Sequence, residues 1–317
     1  MACSWGALLA RAMALGHDGR RMRKRRPEVV TPQGTSGHPR PPEVAAEWPV
    51  NARDFAAYYR YAPAALALRE CARLRAVREI DLAEPILDVG CGDGLFARLA
   101  YPGRQTWGID INPSEVQRAQ TTQTYSTLIC GNICAVDLPR QFFSSAIANC
   151  SLEHVPDLRA ALVNIRGTLK PGSRFVLIVP TPNWTSQLAT VELLERLGLH
   201  GLARAYGDGL DKVFSHIHLH DEEAWVKLLE EAGFDEVESR PIVDRGTSWA
   251  FDLMLYPSLL AYFTKKLTGR WVLFPGLRLL TVDAVRGALN TWGGSVPKGK
   301  APGEFLLMCR ARASDPT

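Results

Sequence analysis

An α/β fold with a mostly parallel sheet is what this chain predicts, and three observations carry the prediction. Short apolar runs alternate with longer stretches of helical period. The first run ends in a glycine-rich turn, "DVGCGDG", that leads into a helix. The next run ends on an acidic residue, Asp110, 20 residues after Gly90.

In chain order, residues 1–47 come first. They combine an apolar run (Ala7 to Leu15), the cluster "RRMRKRR" and a Pro/Gly-rich stretch. A secretory signal places its positive charges before its apolar run, whereas here they follow it. The segment reads as a disordered basic tail, or as the product of a misplaced start with Met13 or Met22 downstream. A tail that meets nucleic acid or an anionic membrane is the other reading. Its eight Lys/Arg against four acids account for the whole net charge of +4. The remaining 29 basic and 29 acidic residues leave the body neutral, which argues against a nucleic-acid substrate.

A domain over 48–312 follows, with a short tail at 313–317. Phe55 to Ile80 has a helical pattern, broken at Pro63. The runs "PILDVG", "TWGIDI", "STLIC", "SSAIANC" and "RFVLIVP" read as five strands, and "FDEVESRPIV" and "GEFLLMCRAR" as two more. Seven scattered cysteines without a C-x-x-C pair suggest neither a disulfide framework nor a zinc site, and so a reducing, cytoplasmic setting.

The glycine turn allows close approach of backbone to ligand, and an acid at the next strand end can accept both hydroxyls of a ribose. The third glycine of the dinucleotide fingerprint would fall on Leu95. Asp88 and Asp93 beside the loop would oppose a pyrophosphate but suit a cationic ligand. An adenosine-type cofactor carrying positive charge satisfies both constraints.

"ILDVGCGDGLF" followed by "GIDINPSEVQRA" resembles motif I and the acidic motif of class I S-adenosylmethionine-dependent methyltransferases. The resemblance continues through "GNICAVDLP", "AIANCSLEHVPDLRAAL", "LKPGSRFVLIVPTPNW" and "LLEEAGFDEVESRPI". It is nearest to the small-molecule branch of ubiquinone/menaquinone-biosynthesis type. It implies a Rossmann-like seven-stranded sheet, mostly parallel with the last strand antiparallel, and helices on both faces. It implies S-adenosyl-L-methionine as cofactor, with Asp88, Gly90, Cys91 and Gly92 around the methionyl part. Asp110 would take the ribose diol, Ile111 and Ile133 would sit near the adenine, and Asn149 would end the fourth strand at the methionyl amine. Where the family has Gly-Asp after its third strand, this chain has Gly131-Asn132, whose side-chain carbonyl can still accept from the adenine amine.

Two histidines are candidates for a general base: His154 in "SLEHVPD", and His218 in "SHIHLHDEEAW". Structural or capping roles compete for both. The alternate His216, His218 and His220 lack a convincing further ligand, so no metal is expected. Tyr58, Tyr59 and Tyr61 lie where relatives fold a helical segment over the cofactor.

The last two strands are separated by an insertion, about 244–303, with eight basic residues against three acids. Its apolar runs at 249–280 are too short, and too interrupted by Asp252, Pro257 and Pro275, for a spanning helix. Three readings stand: a lid over a hydrophobic substrate pocket, a peripheral membrane contact, or a structural or dimer-forming helical pair.

Overall fold

A computed structural model describes residues 48–268, 272–296 and 302–313. The expected tail at 1–47 lies outside the described residues. Two helices open the fold: α1 (Ala52–Tyr59), capped by Asn51, and α2 (Ala64–Arg78), which starts after Pro63. Pro63 has no backbone N–H to give to a preceding turn, so the helical pattern divides there.

The strands are β1 (Ile86–Val89), β2 (Thr106–Asp110), β3 (Thr127–Cys130), β4 (Phe143–Asn149), β5 (Leu169–Pro180), β6 (Phe234–Ile242) and β7 (Glu304–Ala311). They form one sheet in the order β3-β2-β1-β4-β5-β7-β6. The pairs among β1 to β5 are parallel, while β7 runs antiparallel to both β5 and β6. This is the Rossmann-like methyltransferase sheet that the sequence motifs imply. Between the strands lie α3 (Leu95–Ala100), α4 (Pro113–Thr122), α5 (Leu158–Thr168), α6 (Ala189–Arg196), α7 (His200–Phe214) and α8 (Glu222–Glu231). The insertion supplies α9 (Arg245–Thr268), α10 (Pro275–Arg278) and α11 (Val282–Gly293).

The central strands are buried on both faces, so each reads as a continuous apolar run rather than an alternation. Alternate side chains still divide the core. Ile86, Ile147, Val176 and Leu306 pack beneath α1, α2, α9 and α11. Leu87, Ala146, Phe175 and Leu307 pack beneath α5 and α8. A third cluster joins Trp184, Leu188, Phe214 and Phe251 beyond the end of β5.

β5 begins five residues earlier than the apolar run "RFVLIVP" suggests. Leu169 pairs with Phe143, and a bulge carrying Gly172 at φ +74° separates that pair from the regular register at Ser145 and Arg174.

The insertion leaves and re-enters the sheet at one neck, where Gly303 N donates to Val243 O at 2.8 Å. The first half of α9 is packed core. Ala250, Phe251 and Asp252 are buried, and the Asp252 carboxylate accepts from Thr190 N at the start of α6 (2.7 Å) and from Tyr206 Oη (2.5 Å). A carboxylate there satisfies an orphan amide at a helix N-terminus. Among the described residues, no helix is long and apolar enough to cross a membrane.

Candidate active site

The carboxyl ends of β1, β2 and β4 bring the motif residues together. Gly90, Gly92 and Gly94 have φ of +74°, +54° and +78°, a region that side chains with a Cβ rarely enter. A Cβ on Gly90 would lie 2.3 Å from Ser151 Cβ, so glycine is also what lets the tips of β1 and β4 meet. Ser151 Oγ completes that junction by donating to Val89 O at 2.7 Å. Asp110 faces the loop from the end of β2. Its Oδ2 accepts from Gly92 N (2.9 Å) and its Oδ1 from Asn112 N (2.8 Å). A carboxylate has about four acceptor sites, so two such bonds leave capacity for hydroxyl donors. Asn112, not Asp110, caps α4.

Asp88 lies beneath the loop. Its Oδ2 accepts from Tyr125 Oη at 2.7 Å and Tyr101 Oη at 3.0 Å. Burial pushes the Asp88 carboxyl up to about 6, against the pull of these two hydroxyls, and the charge of Asp110 adds to the rise. Tyr101 is buried and Tyr125 half-buried, and desolvation followed by the Asp88 charge raises both phenols well above their usual value. Nothing in the local sequence around Tyr101 or Tyr125 marks them as partners of Asp88.

A buried polar chain starts at the tip of β4. Asn149 Nδ2 donates to Glu70 Oε2 (3.2 Å), and Glu70 Oε1 accepts from Arg73 Nη1 (2.7 Å). Arg73 also donates through Nε and Nη2 to the two oxygens of Glu304, at 2.8 and 2.6 Å. Burial alone would raise the Glu304 carboxyl, but Arg73 and Arg69 outweigh it and hold the group below its ordinary value. The Arg69 guanidinium lies 4.3 Å from the Phe251 ring and 4.9 Å from the Trp184 ring. Three elements far apart in sequence thus meet around β4: α2, the exit of the insertion and the third core cluster. Cys150 follows at φ +47°, and burial raises its thiol well above the usual value, which leaves it neutral.

The two candidate histidines are tied to backbone. His154 Nδ1 is 3.1 Å from Ser215 O, and His218 Nε2 is 2.8 Å from Val155 O. A carbonyl only accepts, so these nitrogens carry protons; in a neutral ring the lone pair then falls on His218 Nδ1 or on His154 Nε2, the latter 3.6 Å from Glu153 Oε1. His154 stacks on His216 at 5.7 Å, while His218 stacks on His220 at 5.4 Å. The three alternate histidines therefore divide between two ring pairs. Among the described residues, no group of three or more His, Cys, Asp or Glu is placed to hold a metal.

A methyltransferase-domain family matches residues 56–239, more than half of the chain. The chain belongs to that family. Curated relatives of this methyltransferase-domain chain include an uncharacterised methyltransferase of Mycobacterium tuberculosis, 34% identical over 96 residues, covering 29% of this chain and 49% of the relative. A ubiquinone biosynthesis O-methyltransferase of Rhodopseudomonas palustris is 32% identical over 109 residues, covering 32% of this chain and 41% of the relative. The matches span about half or less of those relatives' length. A SAM-dependent methyltransferase structure from Thermotoga maritima shares the fold, with a TM-score of 0.50, 14% identity and coverage of 78% of this chain and 91% of that one.

The cofactor that goes with this family is S-adenosyl-L-methionine. The residues fit it. Asn149 Oδ1 is a buried oxygen with no hydrogen-bond partner among the described residues, and a cationic ammonium suits it. Asp110 has acceptor capacity for a diol. Ile111 stands 68% exposed beside it, an apolar side chain suited to a flat base. Asn132 is exposed, and its Oδ1 already accepts from Cys134 N at 3.0 Å, so an adenine amine would share that oxygen. The Ile133 side chain is packed into the core beneath α5. Cys91 is buried, and its amide donates to Ile109 O at 3.0 Å, which makes it part of the loop's scaffold. Of the three tyrosines, Tyr58 is buried with its hydroxyl unpartnered among the described residues, Tyr59 is buried and Tyr61 is exposed.

Proposed function

We propose that this protein methylates a hydrophobic small molecule, such as a quinone precursor, a polyketide or a lipid-linked intermediate. The observation that carries the reading is the composition of the buried cluster that packs against the polar chain at the β4 tip. It is built from Trp184, Phe214 and Phe251, and its charges are paired within the protein. A polymeric nucleic-acid substrate would call for a basic field, which the neutral body does not supply. The family's cofactor, when bound, supplies an electrophilic methyl group on a sulfonium. The chain's own residues then orient and exclude water. Asp110 fixes the ribose, Asn149 and Asp88 meet positive charge, and the glycine loop sets the distance to the acceptor. Neither transfer to a phenol nor transfer to a carboxylate demands a strong base. Where one is needed, His218 Nδ1 and His154 Nε2 are the atoms with lone pairs. Buried free thiols at Cys71, Cys150 and Cys309 suit a reducing, cytoplasmic setting.

The test is incubation of the protein with isotopically labelled S-adenosyl-L-methionine and a metabolite extract, followed by mass spectrometry. Label should enter a compound that partitions into organic solvent, with demethylated cofactor formed in equal amount. Label found only in RNA or protein, or cofactor binding without any demethylated product, would overturn the proposal.

A further inference from the structure

We infer, on the reading that Asn149 meets positive charge, that Glu70 is a positioning residue for the cofactor. It turns the Asn149 side chain so that the amide oxygen, and not the amide nitrogen, meets the cofactor's ammonium.

The sheet register brings the partners together. Asn149 on β4 lies level with Ile178 on β5, and Ile178 lies level with Leu306 on β7. Residues level with one another across a sheet share a face, and Ile178 and Leu306 both pack on the α2 side. Asn149 therefore faces α2 as well, and so does Glu304, two residues before Leu306. Opposite them, Glu70 and Arg73 occupy one side of α2 at a spacing of three. The glycine loop borders the same space. Burial, then the charges of Glu70 and Asp93, raise the Tyr58 phenol well above its usual value.

Each link in the chain has a fixed sense. A guanidinium only donates, so Arg73 Nη1 gives its hydrogen to Glu70 Oε1 at 2.7 Å, while Glu304 holds Arg73 through two further bonds. Glu70 Oε2 then needs a donor, and the one donor on an asparagine side chain is Nδ2, 3.2 Å away. Turned over, Asn149 would set oxygen against oxygen at Glu70 and aim two N–H groups at the ammonium. With Glu70 in place, Asn149 Oδ1 points away from α2's carboxylate, buried and without a partner among the described residues. The sense of the chain thus runs from Arg73 through Glu70 to the atom that Asn149 offers.

The near-isosteric change Glu70→Gln should invert that sense. Arg73 still donates only, so the new amide would give its oxygen to Arg73 and its NH2 to Asn149. Asn149 would answer with its oxygen and turn its own NH2 towards the ammonium.

Calorimetry with two ligands tests this: S-adenosyl-L-homocysteine, and the analogue in which hydrogen replaces its α-amine. Wild type should prefer the ligand that carries the amine. Asn149→Ala should remove about tenfold of that preference, and Glu70→Gln at least as much. Affinity for the amine-free analogue should change by less than about twofold in either variant. Glu70→Ala leaves Asn149 free to turn both ways and should fall between wild type and Glu70→Gln; it carries the test where Glu70→Gln does not fold. Equal weakening of both ligands by the Glu70 variants would make Glu70 a purely structural residue and overturn the inference. So would a preference kept in Glu70→Gln and Glu70→Ala but lost in Asn149→Ala. A preference that survives Asn149→Ala would instead refute the reading of Asn149, and the role of Glu70 with it.

Discussion

Asp88→Asn separates what the carboxylate costs the fold from what it gives to ligand binding. The substitution keeps an acceptor for the two tyrosine hydroxyls and removes the charge. The folded-state pKa, about 6, lies above the ordinary value of 3.8. A carboxyl shifted upward favours folding fully below the unfolded pKa and loses that contribution as the pH climbs through the folded one. The rise of about 2 units corresponds to about 3 kcal/mol, an upper figure for a group this buried. Wild type should therefore lose up to about 3 kcal/mol from this group between about pH 4 and about pH 8, and the variant should lose none of it. Urea denaturation of both proteins across that range measures the difference. The new amide adds a constant offset, so the slope of the difference is the test. A stability difference that stays flat with pH, or that moves in wild type's favour as pH rises, would refute the reasoning. Cofactor affinity should move the other way, with the variant weaker above about pH 6 and close to wild type below it.

Four further outcomes are expected. Asp110→Ala should weaken cofactor binding by about a hundredfold or more, from loss of two charge-assisted hydroxyl bonds; calorimetry on the folded variant measures it. Gly90→Ala should destabilise by about 2–4 kcal/mol, because φ strain adds to the collision with Ser151; adding Ser151→Gly should recover only the collision part in thermal melts. Tyr58→Phe removes a buried hydroxyl with no partner among the described residues. It should leave stability unchanged or higher by up to about 1 kcal/mol, and titration should show cofactor binding weakened several-fold. Arg73→Met should cost about 3–5 kcal/mol in chemical denaturation, since Glu304 keeps its charge in the core while losing two hydrogen bonds.

The sheet was legible because its central strands are short, continuous apolar runs bounded by glycine, proline and acidic residues. The cofactor edge was legible because glycine spacing and an acid one strand later describe local geometry. The polar interior was not. Arg69, Glu70 and Arg73 look like the wet side of α2, yet all three are buried, and the partner that makes this tolerable is 231 residues away at Glu304. Asp252 interrupts an apolar run and reads as a mark of exposure, whereas it is buried and accepts from the first turn of another helix. Tyr101 and Tyr125 reach Asp88 only once β1, β2 and the segment before β3 are assembled. Pairings of this kind are set by topology, and no periodicity within a window of ten or twenty residues reports them.

The position of β7 has a consequence for how the protein comes to be folded. Among the described residues, β6 pairs with β7 alone, and β7 is made only after the whole insertion. During synthesis, therefore, β6 emerges with its hydrogen-bonding edge unmatched and must wait for some sixty further residues to appear. The first five strands can settle early, but the two strands beyond β5 join in a single late event. A nascent chain stalled before Glu304 would carry an exposed strand edge beside an apolar insertion, the state in which this protein would be most in need of a chaperone.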